Sequence, residues 1–191
     1  MKPFMRIIST AGLAIALLSS LAAAKDEGDS EQQIDKPFSI TVAPVYLLGP
    51  VLQVTGEYGF AHHLSAAAIV AAGSVSFPDD GGDWSGYDLG AQFRYYTQTD
   101  PRGFQLGAQV LWAHASSDNF LENDSRSGGD ALTAGPFLGY KFVASNGLTV
   151  DFQAGYGFLW VLAWASTTYE SVDANVNAGL PIVNLNLGWS F

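Results

Sequence analysis

From residue 37 onward the chain is a succession of short segments in which every second side chain is apolar, separated by turn-forming residues. Side chains alternate across a strand with a period of two, so each segment reads as a strand with one apolar and one polar or small face. The alternation predicts eight strands: about Phe38–Leu47, Val51–Phe60, Leu64–Phe77, Tyr87–Tyr96, Gly103–Ala115, Ala131–Phe142, Leu148–Leu162 and Pro181–Phe191. In the fourth, Tyr87, Leu89, Ala91, Phe93 and Tyr95 oppose Asp88, Gly90, Gln92 and Arg94. In the last, Val183, Leu185, Leu187, Trp189 and Phe191 oppose Asn184, Asn186, Gly188 and Ser190. Pro44 cannot donate to a ladder, so a bulge or an unpaired position is expected in the first strand. Asn146-Gly147 is the strongest short hairpin signal.

The connections carry a second pattern. Those at 48–50, 61–63, 97–102 and 144–147 are short, whereas 78–86, 116–130 and 163–180 are long and polar. After the first, long and short alternate, as when one end of an up-and-down barrel carries tight turns and the other extended loops. The polar face holds Gln53, Glu57, Arg94, Gln105, Lys141, Asp151, Asn184 and Asn186 among glycines, and the apolar face is free of charge. A soluble barrel keeps its dry face inside. The inverted order, with aromatics at the strand ends, predicts an all-β, eight-stranded antiparallel up-and-down transmembrane β-barrel.

The remaining residues narrow the setting. Lys2 and Arg6 precede an apolar run from Ile7 to Leu21 and then Ala22-Ala23-Ala24, the layout of a secretory signal peptide spanning residues 1–24. Residues 25–36 are charged, without an apolar stripe, and are expected to form a flexible periplasmic tail before the barrel at 37–191. Removing Lys2 and Arg6 takes the formal charge from −10 to −12, which argues against nucleic acid as a partner, since that needs a basic footprint. The chain has no cysteine, so export to an oxidising compartment offers nothing to bridge. No metal or cofactor motif stands out, and the acidic loops lack a complete EF-hand spacing.

Two resemblances follow from these residues. Leu187, Trp189 and the terminal Phe191 resemble the assembly signal of bacterial outer-membrane barrels, which implies the barrel-assembly machinery as a partner. Signal peptide, eight strands, short turns and this ending together resemble the small outer-membrane barrels of the OmpA transmembrane-domain, OmpX and OmpW type. That implies residence in the bacterial outer membrane after Sec-type export, among its lipid and lipopolysaccharide. An eight-stranded interior is just wide enough to be filled by side chains, so no general pore is expected. Glu57, Arg94, Lys141 and Asp151 face inward near the short-turn end, and two acids with two bases balance as a lumen charge network. Val45, Leu47, Ile69, Leu111, Leu159 and Val161, with Ile182 beyond them, face inward near the other end. An apolar chamber over a polar floor resembles the OmpW arrangement, which implies binding or admitting small hydrophobic compounds. His114 and Ser116 form a His-x-Ser pair on the exterior near the long-loop rim. It is similar to that of the PagL-type lipid A deacylases, in which serine attacks an ester, histidine is the base and an acid orients it. Glu122 or Asp130 would supply that acid. The surrounding His114-Ala115-Ser116-Ser117-Asp118 and its place on the fifth strand depart from that family. His62 and His63, in a tight turn, are expected to be solvated, and a loop-mediated adhesion or interaction role is a further alternative.

Overall fold

The computed structural model describes residues 35–76, 83–118, 126–166 and 171–191. Eight antiparallel strands follow one another around a closed ring: β1 (Phe38–Val42), β2 (Val51–Ala61), β3 (Leu64–Ser76), β4 (Asp83–Tyr96), β5 (Gly103–Asp118), β6 (Arg126–Val143), β7 (Leu148–Ser166) and β8 (Ser171–Ser190). This is the up-and-down barrel that the alternation predicts. The expected signal peptide, most of the expected tail and Glu122 lie outside the described residues.

The partition of side chains is inside-out. Phe93, Leu138 and Leu187 are 52%, 65% and 43% exposed on the exterior, while Glu57 and Arg94 are 2% and 1% exposed within. Following the register once round from Thr41 leads through Thr55, Ile69, Gly90, Leu111, Thr133 and Leu159 to Ala178. Thr41 itself pairs with Gly188, ten residues further along β8, so the shear number is ten. With a rise of about 3.3 Å per residue and strands about 4.8 Å apart, that closure demands a tilt of about 41° and a backbone radius of about 8 Å. So narrow a ring crowds its interior. A Cβ on Gly155 would come within 2.8 Å of the Phe137 Cα, which is why several inward positions carry no side chain.

The strands lengthen around the ring, from 5 residues in β1 to 20 in β8. All of them reach the end that holds Phe38 and Phe191, hereafter the near end, so the surplus stands at the far end. There the rim climbs strand by strand and drops abruptly at the closure, where β1 and β8 share only four rungs, Ser39↔Ser190 to Val42↔Leu187.

Several boundaries differ from the sequence expectation. The first strand stops at Val42 instead of Leu47, because Pro44 starts a 3-10 helix, Pro44–Leu48. The proline ring fixes φ at a helical value and its missing N–H costs nothing at a helix start. Val45 and Leu47 therefore stand on a helix, 57% and 54% exposed, and not on an inward strand face. In contrast, 83–86, 116–118, 126–130, 163–166 and 171–180, read as connections, continue the ladders. Finally, the β6–β7 connection is a type I turn: Gly147 N–H donates to the Ala144 carbonyl at 2.9 Å, and Ala144 N–H to that of Leu148 at 2.9 Å. Gly147, at φ +99°, supplies the left-handed bulge residue that closes such a loop.

The near end is tied down. Lys36 Nζ donates to the carbonyls of Ala144 (3.2 Å) and Ser145 (2.6 Å). His63 is not simply solvated: one ring nitrogen bonds the Tyr96 carbonyl at 2.9 Å and the ring stacks on Tyr95. These contacts hold its backbone at φ +67° in the tight β2–β3 link.

Candidate functional site

The near half of the lumen is a polar plug. Arg94 Nη1 lies 2.8 Å from Glu57 Oε2 and 3.0 Å from Asp151 Oδ2, and Lys141 Nζ lies 2.8 Å from the same Glu57 oxygen. The four expected charges thus form one network, although Lys141 bonds to Glu57 and not to Asp151, its register partner. Ser65 (2.6 Å) and Tyr96 (2.7 Å) donate hydroxyl hydrogen bonds to Glu57. Arg94 Nε donates to Gln92 Oε1 at 2.8 Å, Gln92 Nε2 to Gln153 Oε1 at 3.1 Å, and Gln153 Nε2 to Asp151 Oδ2 at 2.8 Å. Gln105 Nε2 donates to the other Asp151 oxygen. Buried charge is tolerable only when it is paired and its remaining valences are bonded, which this arrangement achieves at zero net charge. Ser65, Gln92, Tyr96 and Gln153 escaped the sequence reading. Their inward parity was visible, but alternation does not say which side chains meet across the axis.

Above the plug the interior turns small and apolar. Phe137, 2% exposed, lies over Gly107, its partner across the β5–β6 ladder. Beyond it a cavity of about 200 Å³ is lined by Ala71, Gly73, Trp84, Gly86, Asp88 and Ala113, with others. Of the six residues expected to form an apolar chamber, Ile69 is buried within the ring, and Leu111, Leu159 and Val161 are half-buried at inward positions. Val45 and Leu47 stand apart on the helix. None of the six lines the cavity, whose wall combines Trp84, Tyr87 and Asp88 with alanine and glycine positions that a search for large apolar side chains passes over.

On the exterior near the far rim, His114 of β5 faces Asp130 of β6 directly, with Nδ1 2.9 Å from Oδ1. Of the two acids that the sequence offered to His114, the fold therefore brings Asp130 to it. Ser116 follows two residues along the same strand face. Tyr87 and Trp112 pack around the imidazole, with ring centroids 5.3 and 6.4 Å away. At the opposite end Leu187, Trp189 and Phe191 are all exposed on the exterior, and the Phe191 ring stacks against Phe38.

No curated protein and no solved structure matches the chain. A family model described as "Protein of unknown function (DUF3575)" matches residues 15–178, and the chain belongs to that family.

Proposed function

We propose that this chain is a bacterial outer-membrane β-barrel, of the kind typified by the OmpA transmembrane domain, OmpX and OmpW, that binds or admits small hydrophobic compounds in its far-end lumen and is not a general pore. The inside-out partition supports the membrane. Tyr87 and Tyr95 on β4, like Phe104 and Trp112 on β5, stand eight residues apart, about 20 Å along the axis at this tilt, close to the apolar band of such barrels. In that setting the far end faces outward and the near end the periplasm. The observation that carries the functional reading is the cavity above a plug that fills the ring with bonded charge.

Two measurements test it. Expressed in a Gram-negative host, the protein is expected to fractionate with the outer membrane and to show heat-modifiable electrophoretic mobility; recovery in the soluble fraction overturns the membrane reading. Purified in detergent, it is expected to bind the apolar fluorophore N-phenylnaphthylamine saturably, and a merely linear response overturns the chamber.

One observation favours a second reading, a lipid-ester hydrolase. His114 is held through Nδ1 by Asp130, which leaves Nε2 on the side of the ring away from the acid. That is the orientation a histidine needs to take a proton from Ser116 as it attacks an ester carbonyl. Expression is then expected to remove an acyl chain from lipid A, read by mass spectrometry, and Ser116→Ala to abolish the change. An unaltered lipid A excludes this reading.

A further inference from the structure

The lumen holds a further carboxylate that the plug does not use. Tyr87 and Leu89 lie on the exterior, so Asp88 between them faces in. It stands six residues from Arg94 along β4, about 20 Å, too far to pair with it. Arg94 and Lys141 are in any case bonded to the acids of the plug. Across the ladders Asp88 faces Ala71 of β3 and Ala113 of β5, and the next inward level toward the far end is Gly73, Gly86 and Ala115. Methyl groups and hydrogens cannot bond a carboxylate, and Asp88 has no hydrogen bond and no ion pair among the described residues.

Those same residues line the cavity of about 200 Å³, with Trp84 as an aromatic wall four residues farther along β4. An uncompensated charge thus borders a space that is otherwise largely apolar. The Tyr46 phenol, on the Pro44–Leu48 helix, is in electrostatic reach of Asp88 but is uncharged at neutral pH and brings no counter-charge. His114 also borders the cavity, as an exterior residue of β5 whose ring is bonded to Asp130. A charge against apolar walls is costly until a partner arrives, and the walls limit what that partner can be. A divalent ion needs several oxygen ligands, and no group of three or more histidine, aspartate or glutamate side chains placed to hold one occurs among the described residues. A hydrated alkali ion gains nothing from methyl and glycine walls. An organic ammonium carries its charge on an apolar body and is attracted to aromatic faces, so it matches carboxylate and walls together.

We propose that Asp88 and the cavity beside it form a binding site for a monovalent organic cation, a substituted ammonium with an aromatic or short alkyl body. Its nitrogen is held at the Asp88 carboxylate, and its body lies over Gly73 and Gly86 toward Trp84. This rests on the reading of the far-end lumen as a chamber for small hydrophobic compounds and adds the charge of the ligand and the residue that selects it. An anionic analogue is repelled, and a neutral one leaves the carboxylate unpaired.

The test uses the whole protein in a non-ionic detergent, with N-phenylnaphthylamine as reporter and two competitors of one shape: benzyltrimethylammonium, and neopentylbenzene, in which carbon replaces the nitrogen. Asp88→Asn is expected to weaken displacement by the cation about tenfold and to change that by the neutral isostere less than about twofold. Comparing each compound with itself across variants cancels its partition into the detergent. Asp100→Asn, at the near end, removes the same charge from an already acidic chain and is expected to leave both compounds unchanged. On the wild-type protein, raising sodium chloride to about 0.5 M is expected to weaken the cation severalfold and to spare the isostere. Where Asp88→Asn gives no folded barrel, this salt series decides, and an equal response of the two compounds overturns the site. An equal loss in Asp88→Asn and Asp100→Asn assigns the cation to the overall acidity of the chain and overturns the site as well. An equal loss of cation and isostere in Asp88→Asn makes the carboxylate a matter of cavity shape and overturns its selective role. In each of these cases saturable reporter binding leaves the chamber standing, whereas its absence removes chamber and site together.

Discussion

The two halves of this lumen are enclosed by the same sheet and solve opposite problems. The near half is filled by side chains from seven strands whose charges are paired and bonded to one another, and it is held shut by them. The far half holds a cavity where alanine and glycine positions lie beside Trp84 and Asp88, and there β1 gives way to a helix. Stability and vacancy are thus separated along one axis. Residues near the termini hold the ring together, which frees residues at the far end to line a cavity.

Substitutions can break or sharpen that contrast. The largest effect is expected from Arg94→Met, which strands Glu57 and Asp151 without a shared cation; removing one member of a buried pair costs about 3–5 kcal/mol. Urea unfolding in detergent, followed by heat-modifiable mobility, is expected to show a greatly lowered midpoint or no folded form, and a wild-type midpoint contradicts the plug. Gly155→Val comes next, since its Cβ meets the Phe137 backbone and the Pro136 carbonyl, which cannot rotate away. Overpacking of that kind costs about 1–3 kcal/mol, readable in the same titration. Tyr96→Phe removes a single hydroxyl donor to Glu57, an expected loss of about 1 kcal/mol with the fold intact. At the other end Ala113→Leu is expected to change the midpoint by no more than about 0.5 kcal/mol while abolishing N-phenylnaphthylamine binding, because it fills space and breaks no bond. A large destabilisation by Ala113→Leu, or none by Arg94→Met, dissolves the division of labour.

The same contrast explains what could be read from the chain beforehand. Where one strand face is apolar and the other polar, as from Tyr87 to Tyr96, alternation is unambiguous, and the exterior and the four plug charges follow from it. Toward the far rim both faces become polar or small: Ser116-Ser117-Asp118 and Asn175, Asn177 and Ala178 carry no period-two signal, so true strand resembled loop. In β1 the failure ran the other way. Val45 and Leu47 keep the alternation, but Pro44 overrides it through backbone geometry. Within the site, charges announce themselves at inward positions. Glutamine, serine and tyrosine partners do not, since their meeting depends on shear and tilt that only the closed ring defines. The cavity was the least legible feature, because Ala71, Gly73, Gly86 and Ala113 in its wall carry little or no side chain to mark it.

The four-rung closure has a mechanical corollary. The β7–β8 ladder runs to nineteen paired positions, so opening the ring at β1 sacrifices a small fraction of its backbone bonds and leaves a curled ribbon almost fully paired. Deuterium is therefore expected to enter the amides of Ile40 and Val42 well before those of Phe152 or Asn186, and force applied across the cylinder to unzip it at this one line.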